Sequence, residues 1–199
     1  FLADKFPGKK WGIVTQDDDY GLLVREGFDT IVKAKKLNVV YSGSYKKGQT
    51  DFASDMLRLK ESGAEVFLAG GIISENVAMI KELEKLAYKP AVGIFWPGRI
   101  EVVLKLAGPA SDGLYAVDYV EPLAGPAGKA FIEKAKKHLT EAEVKGINRY
   151  TEAGYAAGRV LVEAFRKCGK ALTRACAISE IEKTKDLQIA AWLTEALIY

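Results

Sequence analysis

Histidine and cysteine, two residue types that often bind transition metals, are scarce in this sequence. There is one histidine, His138, and there are two cysteines, Cys168 and Cys176, among 199 residues. A structural zinc site needs about four nitrogen or sulfur ligands, and no such cluster is present, so we expect no metal centre. The cysteines are compatible with a structural disulfide and with two unconnected packing thiols, and the sequence does not decide between them.

Long apolar runs and blocks of like charge are missing as well. No run approaches the roughly 20 apolar residues that span a bilayer. The 29 basic and 26 acidic side chains give a formal net charge of +3 and are spread through the sequence, so nucleic acid is not an expected partner. With 49% hydrophobic and 28% charged residues, the chain can build one or two compact domains.

The sequence also lacks the short motifs of common enzyme classes. It contains no G-x-S-x-G, H-E-x-x-H or C-x-x-C pattern, and no G-x-G-x-x-G follows the first predicted strand. The segment GPAGKA at residues 125–130 is not a phosphate-binding loop, because its glycines are too close together and Ala130 stands where a hydroxyl residue is required. These absences predict a protein that uses no cofactor and is not an enzyme.

Short runs rich in β-branched and aromatic residues alternate with segments of helical period up to residue 120. This order is typical of βα units, which build a parallel sheet through right-handed crossovers. Strands are predicted at residues 11–15, 38–45, 64–70, 91–95 and 113–120, and helices at residues 20–36, 52–62, 74–86 and 99–106. Thr50 or Asp51 is expected to cap the second helix, and Ser74 the third. We therefore predict an α/β fold with an open, doubly wound parallel sheet that binds ligands at the carboxyl ends of its strands.

The pattern changes after residue 120. No convincing strand follows for about 65 residues, and helices are predicted at residues 126–138, 151–167 and 173–183. Apolar positions such as Tyr155, Val160 and Phe165 need a surface to pack against. Helices without a sheet offer little of it, so this part is expected to pack on structure that the chain does not contain.

The loop after the first predicted strand holds the first candidate residues. Asp17, Asp18 and Asp19 precede a helix, where capping is the simplest explanation for carboxylates. Tyr20 is a candidate ligand-binding residue, because a phenol at the carboxyl edge of a sheet can stack on a small solute or hydrogen-bond to it. Simple packing explains Tyr20 equally well.

Further candidates lie next to the later strands. Gly71 and Ile72 follow the third strand, where adjacent glycines let backbone amides approach a ligand, although a turn also explains them. Phe95 and Trp96 follow the fourth strand and can form a pocket wall or the edge of the core. Asp112 precedes the fifth strand and so enters from the opposite end, unless the chain turns sharply there.

Five segments carry a family resemblance when they are taken together. They are WGIVTQDDDYG, KKGQTDFASDMLRLKESGAEVFLAGG, ASDGLYAVDYVEP, GPAGKAFIEKAKK and YTEAGYAAGRVLVEAFRKCGK. In content and order they closely resemble the Leu/Ile/Val-binding protein family, the substrate-binding subunits of ABC importers with a two-lobed type I periplasmic fold. The resemblance runs from about Lys9 to about Leu187. The ending at residues 188–199 departs from it.

In that family two lobes close around a small ligand. The resemblance implies that residues 1–120 form the ligand-binding second lobe. Residues 121–199 would then be a helical segment of an incomplete first lobe, whose amino-terminal half is absent from this chain.

The resemblance also assigns roles to single residues. Tyr20 matches a tyrosine that helps cover the ligand, and Phe95 and Trp96 match a loop that supplies an aromatic wall. Asp112 matches an acidic position that binds the ammonium of an amino acid. A turn residue before Gly113 is an equally good explanation for Asp112.

Together these features predict an extracytoplasmic receptor that captures a small ligand by lobe closure and presents it to ABC transporter permease subunits. A branched-chain or other amino acid is the first choice of ligand, and an aromatic acid or amide the second. The implied location is periplasmic or extracellular, after removal of an export signal that this chain does not contain. A cytoplasmic amide or amino-acid sensor of the same fold that controls a regulator, and a flavodoxin-like enzyme, are the alternatives.

Overall fold

The computed structural model describes residues 1–95, 101–117, 120 and 122–184. The chain divides into two compact units, Phe1–Asp118 and Tyr119–Tyr199. In the first unit strands alternate with helices. Its elements are α1 (Leu2–Lys5), β1 (Lys10–Gln16), α2 (Asp19–Lys35), β2 (Asn38–Tyr45), α3 (Ala53–Glu61), β3 (Val66–Gly70), α4 (Ser74–Lys85), β4 (Ala91–Ile94), α5 (Glu101–Ala107), a 3-10 turn (Gly108–Ser111) and β5 (Tyr115–Ala116).

The strands of the first unit form one parallel sheet. Over the described residues its order is β2-β1-β3-β4-β5, and every neighbouring pair is parallel. Ile13 in β1 lies opposite Ser42 of β2 on one side and Leu68 of β3 on the other. The chain steps outward from β1 to β2 and then crosses back to β3, so the switch point lies between β1 and β3. The doubly wound fold predicted from the sequence is confirmed.

Successive side chains of a strand point to opposite faces of the sheet, and both faces are apolar here. On one face, Trp11 and Ile13 pack with Phe28 of α2. On the other face, Val14 and Phe67 belong to a core that includes Met56 and Leu59 of α3 and Met79 and Leu83 of α4. Burial of each such side chain contributes about 1.5–3 kcal/mol, so these two cores supply most of the stabilisation of the unit.

Local chemistry joins the start of α2 to the end of β1. Asp18 is the N-cap of α2, and its carboxylate accepts a hydrogen bond from the Gly21 N–H at 3.0 Å. A Cβ at position 21 would lie 1.7 Å from the carbonyl oxygen of Gln16, so only glycine fits. The first turn of α2 therefore packs directly on the carboxyl end of β1.

The second unit is helical in its described part. Its elements are α6 (Pro126–Ala135), α7 (Glu141–Lys145), α8 (Arg149–Cys168), a 3-10 turn (Gly169–Ala171) and α9 (Arg174–Glu182). Asn148 caps α8 by accepting hydrogen bonds from the N–H groups of Tyr150 and Thr151. A disulfide joins Cys168 to Cys176 and connects the end of α8 to α9. No helix among the described residues is long and apolar enough to cross a membrane.

Most predicted elements are present, with small changes at their ends. β2 has the predicted bounds, whereas the fifth strand is reduced to Tyr115–Ala116, with residues 118, 119 and 121 outside the described ranges. Asp51 accepts a hydrogen bond from the Ala53 N–H at 2.9 Å at the start of α3, as expected. Ser74 does not cap α4, because it is already the first helical residue and its hydroxyl donates to Glu75 instead.

Candidate functional site

Buried polar side chains are concentrated at one end of the sheet. In the described part of the first unit, they belong to Thr15, Gln16, Glu75 and Asn76. The first two end β1, and the other two begin α4, which follows β3. All four lie at the carboxyl ends of the strands, where doubly wound sheets bind ligands. We call the group of interacting side chains at this end the carboxyl rim: Gln16, Asp18, Tyr20, Tyr45 and Glu75.

Gln16 and Asp18 form a hydrogen-bonded pair within the rim. Gln16 is only 2% exposed, and its Nε2 donates to the Asp18 carboxylate. The N–H of Gly21 holds the pKa of Asp18 below its usual range, and Gln16 adds to this effect. The Oε1 of Gln16 is buried and accepts no hydrogen bond from any described residue. An unpaired buried acceptor costs about 1–3 kcal/mol, so this oxygen favours a ligand that brings a donor.

Two phenols stand beside this pair. The Tyr20 hydroxyl is buried and, in the part of the chain that the structure describes, has no hydrogen-bond partner. Burial and, to a smaller extent, the Asp18 carboxylate raise the pKa of Tyr20 to about 12. The Tyr45 hydroxyl donates to the Gly70 carbonyl at 3.4 Å, and burial, together with the nearby Glu75 carboxylate, raises the pKa of Tyr45. Both phenols are therefore neutral hydrogen-bonding groups at neutral pH.

Asn76 fixes the loop that follows β3. Its Oδ1 accepts from the Gly71 N–H at 3.1 Å, and its Nδ2 donates to the carbonyls of Gly71 at 3.0 Å and Ile72 at 2.9 Å. A Cβ on Gly71 would lie 2.5 Å from that Oδ1, so packing requires glycine here. The Gly71 N–H already donates to Asn76 here, so the expectation that Gly71 offers its amide to a ligand stays a prediction. Gly71 and Ile72 give the rim a fixed backbone.

Tyr20 and Phe95 line the same cavity. This cavity, which we call the sheet groove, has a volume of about 620 Å³ and runs along the α2 side of the sheet. Leu23, Gly27 and Ile31 of α2 form another wall of it. Phe95 is half-buried directly after β4, so its ring stands where the groove reaches the carboxyl end of the sheet. Trp96, the other predicted aromatic residue of this loop, lies outside the described residues.

Asp112 lies at the other end of the sheet. It follows the 3-10 turn and precedes β5, and it lines a separate cavity with Lys89 and Pro90, which precede β4. Because the strands are all parallel, the amino ends of β4 and β5 point away from the carboxyl rim. The structure thus brings Tyr20 and Phe95 together with the loop at Gly71 but leaves Asp112 apart. The ammonium-binding role that the resemblance implied for Asp112 has no geometric support.

The carboxyl rim is rich in hydrogen-bond acceptors. Glu75 lies in the first turn of α4, where the helix dipole favours its negative charge, and the Ser74 hydroxyl donates to it at 3.2 Å. Together with Gln16 Oε1 and the Tyr20 hydroxyl, this carboxylate suits a ligand that presents an ammonium or hydroxyl group. Within the described ranges, no group of three or more His, Cys, Asp or Glu side chains is placed to hold a metal ion.

Sequence reasoning missed Gln16, Tyr45 and Glu75. Each has an ordinary explanation in the sequence: Gln16 precedes an acidic turn, Tyr45 ends a strand, and Glu75 resembles any acidic residue of a first helical turn. One signal was available, because all three lie at or just after the carboxyl end of a predicted strand. Their burial depends on packing between elements that are distant in sequence.

Two comparisons place the chain among known proteins. A family model of periplasmic binding proteins matches residues 1–191. The chain belongs to the periplasmic binding protein family. Leu/Ile/Val-binding protein homolog 7 of Brucella abortus (strain 2308) is 28% identical to this chain over 165 residues. The matched residues are 79% of this chain and 41% of that protein.

Solved structures of other periplasmic binding proteins share the fold. The leucine binding protein LivK of Thermotoga maritima superposes with a TM-score of 0.78 at 20% identity, over 93% of this chain and 52% of its own. An ABC transporter solute binding protein of Rhodopseudomonas palustris, in complex with 4-hydroxybenzoate, superposes with a TM-score of 0.75 at 20% identity. The match covers 90% of this chain and 50% of that protein. The chain therefore spans about half the length of these proteins, or less.

Proposed function

We propose that this chain is the ligand-binding part of an extracytoplasmic solute receptor of an ABC importer, which captures a small amino acid or related carboxylate and releases it unchanged. One observation carries the proposal. Buried polar side chains of the first unit gather at the carboxyl ends of the strands, and two buried oxygens at this end, Gln16 Oε1 and the hydroxyl of half-buried Tyr20, find no partner among the described residues. The family is one of binding proteins, which agrees with capture rather than catalysis.

The chemistry of the carboxyl rim restricts the classes of ligand that it can bind. Gln16 Oε1 and the Glu75 carboxylate accept hydrogen bonds, so they suit the ammonium of an amino acid or the hydroxyl of a hydroxybenzoate. The relatives agree with both classes, since one is named as a leucine binding protein and another is in complex with 4-hydroxybenzoate. An amino acid is the first candidate, because a charge-assisted hydrogen bond between ammonium and carboxylate is stronger than a neutral one.

The mechanism is capture between two lobes. In this proposal residues 1–120 are the second lobe, and residues 121–199 belong to the first lobe. The ligand carboxylate would be held by the part of the whole protein that closes over the rim, since the rim itself is acceptor-rich. Closure would bury the ligand on both sides and present one conformation to permease subunits.

The disulfide supports a location outside the cytoplasm. Cys168 and Cys176 are bonded. Structural disulfides persist in oxidising compartments such as the periplasm and are rare in the cytosol. This favours the receptor over a cytoplasmic sensor of the same fold.

Calorimetric titration with L-leucine, L-valine and 4-hydroxybenzoate tests the proposal. Tyr20→Phe removes only a hydroxyl that is unpaired within the described structure, so it should leave stability within about 0.5 kcal/mol and weaken binding about fivefold. Tyr41→Phe is the matched control, because the Tyr41 hydroxyl donates to Asp55 at 3.1 Å away from the rim. It should cost about 1 kcal/mol of stability and leave binding unchanged.

Three results would contradict the proposal. Binding of none of the three compounds, by the chain or by a longer protein that contains it, would remove the proposed ligand classes. Equal loss of affinity in the Tyr20 and Tyr41 variants would remove the rim as the site. Chemical conversion of a bound compound would show an enzyme.

A further inference from the structure

The side-chain amide of Gln16 can offer either its oxygen or its nitrogen to a ligand. The oxygen only accepts hydrogen bonds and the NH2 group only donates them, so a half-turn of the amide exchanges an acceptor for a donor with almost no change of shape. Gln16 is buried, and its Oε1 pairs with no group of residues 1–95, 101–117, 120 and 122–184. The contact at the other end of this amide therefore determines which kind of ligand group the carboxyl rim can recognise.

The group at the other end of the amide is the Asp18 carboxylate. Its Oδ2 accepts a hydrogen bond from Gln16 Nε2. The hydrogen bond from the Gly21 N–H, more than that from Gln16, holds the pKa of Asp18 below its usual range, so the carboxylate is ionised at neutral pH. An ionised carboxylate accepts hydrogen bonds and donates none, so it pairs with the nitrogen of the amide and not with the oxygen.

The turn between β1 and α2 fixes this carboxylate in place. Asp18 Oδ1 accepts from the Gly21 N–H at 3.0 Å, so each of its two oxygens has a partner of its own. The Asp17 N–H donates to the Tyr45 carbonyl at 2.7 Å and holds the preceding peptide against β2. The carboxylate cannot turn away from Gln16 without losing its bond to Gly21.

The surroundings of the pair make the orientation of the amide important for binding. Burial is the larger cause of the raised pKa of both Tyr20 and Tyr45, and the Asp18 carboxylate adds to it in both, so Asp18 lies within electrostatic reach of both phenols. Glu75 acts on Tyr45 in the same way. Gln16 Oε1 thus adds an acceptor to a rim that already has the Glu75 carboxylate, and a reversed amide would place a donor there instead.

We propose that Asp18 is a positioning residue, which holds the Gln16 amide with its oxygen toward the ligand and so makes the site select ligands that present a hydrogen-bond donor. The inference rests on the proposed function of the carboxyl rim as the binding site. It goes beyond helix capping, since a cap needs only one of the two carboxylate oxygens. An amino acid, whose ammonium donates, is then preferred over the 2-oxo acid of the same carbon skeleton, whose keto oxygen only accepts.

Asp18→Asn separates the orientation of Gln16 from the capping of α2. Asparagine caps helices about as well as aspartate does, and its oxygen can accept from the Gly21 N–H. That bond leaves the NH2 group of the substituted side chain facing Gln16. Because two donors cannot pair, Gln16 has to turn its oxygen toward position 18 and leave its nitrogen for the ligand.

Calorimetric titration with L-leucine and with its 2-oxo acid, 4-methyl-2-oxopentanoate, measures the preference. The protein should bind L-leucine more tightly, and Asp18→Asn should weaken L-leucine about tenfold and strengthen the 2-oxo acid about fivefold. For the second ligand class, 4-hydroxybenzoate and 4-methoxybenzoate differ in the same sense. Asp19→Asn is the matched control, because it removes the same charge from the first turn of α2, and it should change each affinity less than about twofold.

Gln16→Met shows whether Asp18 acts through Gln16. Methionine fills a similar volume without an amide, so in this background Asp18→Asn should change the ratio of the two affinities by less than about twofold. An undiminished effect of Asp18→Asn would mean that Asp18 contacts the ligand directly, which would overturn the inference. An unchanged preference in the single Asp18→Asn variant would overturn it too, with the proposed function intact.

A measurement without ligand separates the failure of this inference from the failure of the proposed function. The NMR signal of the Gln16 side-chain amide should move as Asp18 takes up a proton below about pH 4, both in the unsubstituted protein and in Asp19→Asn, but not in Asp18→Asn. If the signal does not follow Asp18, the inference is wrong whatever binds. If it does follow and neither pair of compounds binds, the proposed function is wrong, and the claim of ligand selection is wrong with it.

Discussion

The two ends of the parallel sheet are built for different purposes. At the amino end, polar groups pair with one another at the surface. The Lys9 ammonium donates to Glu65 at 2.6 Å, and the Lys10 N–H donates to the same carboxylate at 3.1 Å. The Tyr88 hydroxyl donates to the carbonyl of Ala64, just before β3. These contacts fasten strands and helices to each other. Among the described residues, Trp11 Nε1 near this end is also buried without a partner, but it is a donor and not an acceptor.

At the carboxyl end, polar groups are buried but not all are paired. Thr15, Gln16, Glu75 and Asn76 are all buried there, and Gln16 Oε1 has no partner within the described structure. Asn76 makes its hydrogen bonds to the backbone of the loop after β3, and these bonds hold the rim in place. The difference indicates that the amino end serves stability and that the carboxyl end retains free acceptors for binding.

The largest expected effect comes from the junction of β1 and α2. Gly21→Ala places a Cβ 1.7 Å from the Gln16 carbonyl, which only a displacement of α2 can relieve. We expect a loss of at least about 3 kcal/mol in the free energy of unfolding, measured by urea denaturation. Gly27→Ala in the same helix is the control, since it meets nothing within 4 Å and should stabilise by about 0.5–1 kcal/mol. Equal effects would show that the carboxyl end has no special packing.

The loop anchors of the two ends can be compared directly. Asn76→Ala removes three hydrogen bonds from a fully buried side chain and should cost about 2–3 kcal/mol. Tyr88→Phe removes one hydrogen bond at the amino end and should cost about 1 kcal/mol. Only Asn76→Ala should also weaken ligand binding in a calorimetric titration. Loss of binding in the Tyr88 variant would contradict the claim that only the carboxyl end of the sheet binds ligand.

Alkaline pH should act on the buried phenols. Burial raises the pKa of Tyr20 to about 12, whereas an exposed tyrosine in the unfolded chain ionises near its ordinary value of 10. Between these values the unfolded state loses protons that the folded state keeps, so stability falls as the pH rises from about 10 to about 12. The urea midpoint should fall over this range, and less steeply in Tyr20→Phe. A parallel decline in both proteins would show that Tyr20 is not buried at the rim.

The smallest expected effect belongs to the surface of the amino end. Lys9→Ala breaks the ion pair with Glu65, in which both side chains are well exposed. Exposed pairs contribute about 0–1 kcal/mol, so the melting temperature should change by no more than about 3 °C and ligand affinity should not change. A clear loss of affinity would extend the binding surface to this end.

The alternation of strands and helices could be predicted from the sequence because apolar spacing determines which segments bury a face. The pattern predicted the bounds of β2 and the position of α2. Tyr20 was a candidate ligand-binding residue because it follows a predicted strand. Burial of Gln16 and Glu75 could not be predicted, because it results from the meeting of β1, β2 and α4, which are distant in sequence.

Two other candidates show the same limit. Gly71 is a glycine next to a predicted strand, but its amide is bonded by a side chain five residues later. Asp112 carries a suitable charge, yet strand direction puts it at the amino end. Composition and spacing identify residue types, whereas the direction and pairing of strands decide which of them meet.

Tyrosine ring resonances observed by NMR during titration with L-leucine and with 4-hydroxybenzoate test the central claim most directly. Tyr20 and Tyr45 report on the carboxyl rim and Tyr88 on the amino end, and Tyr→Phe variants assign the signals. The account predicts that ligand shifts the Tyr20 and Tyr45 resonances and leaves Tyr88 unchanged. Shifts confined to Tyr88, or bound ligand with no change at Tyr20 and Tyr45, would contradict it.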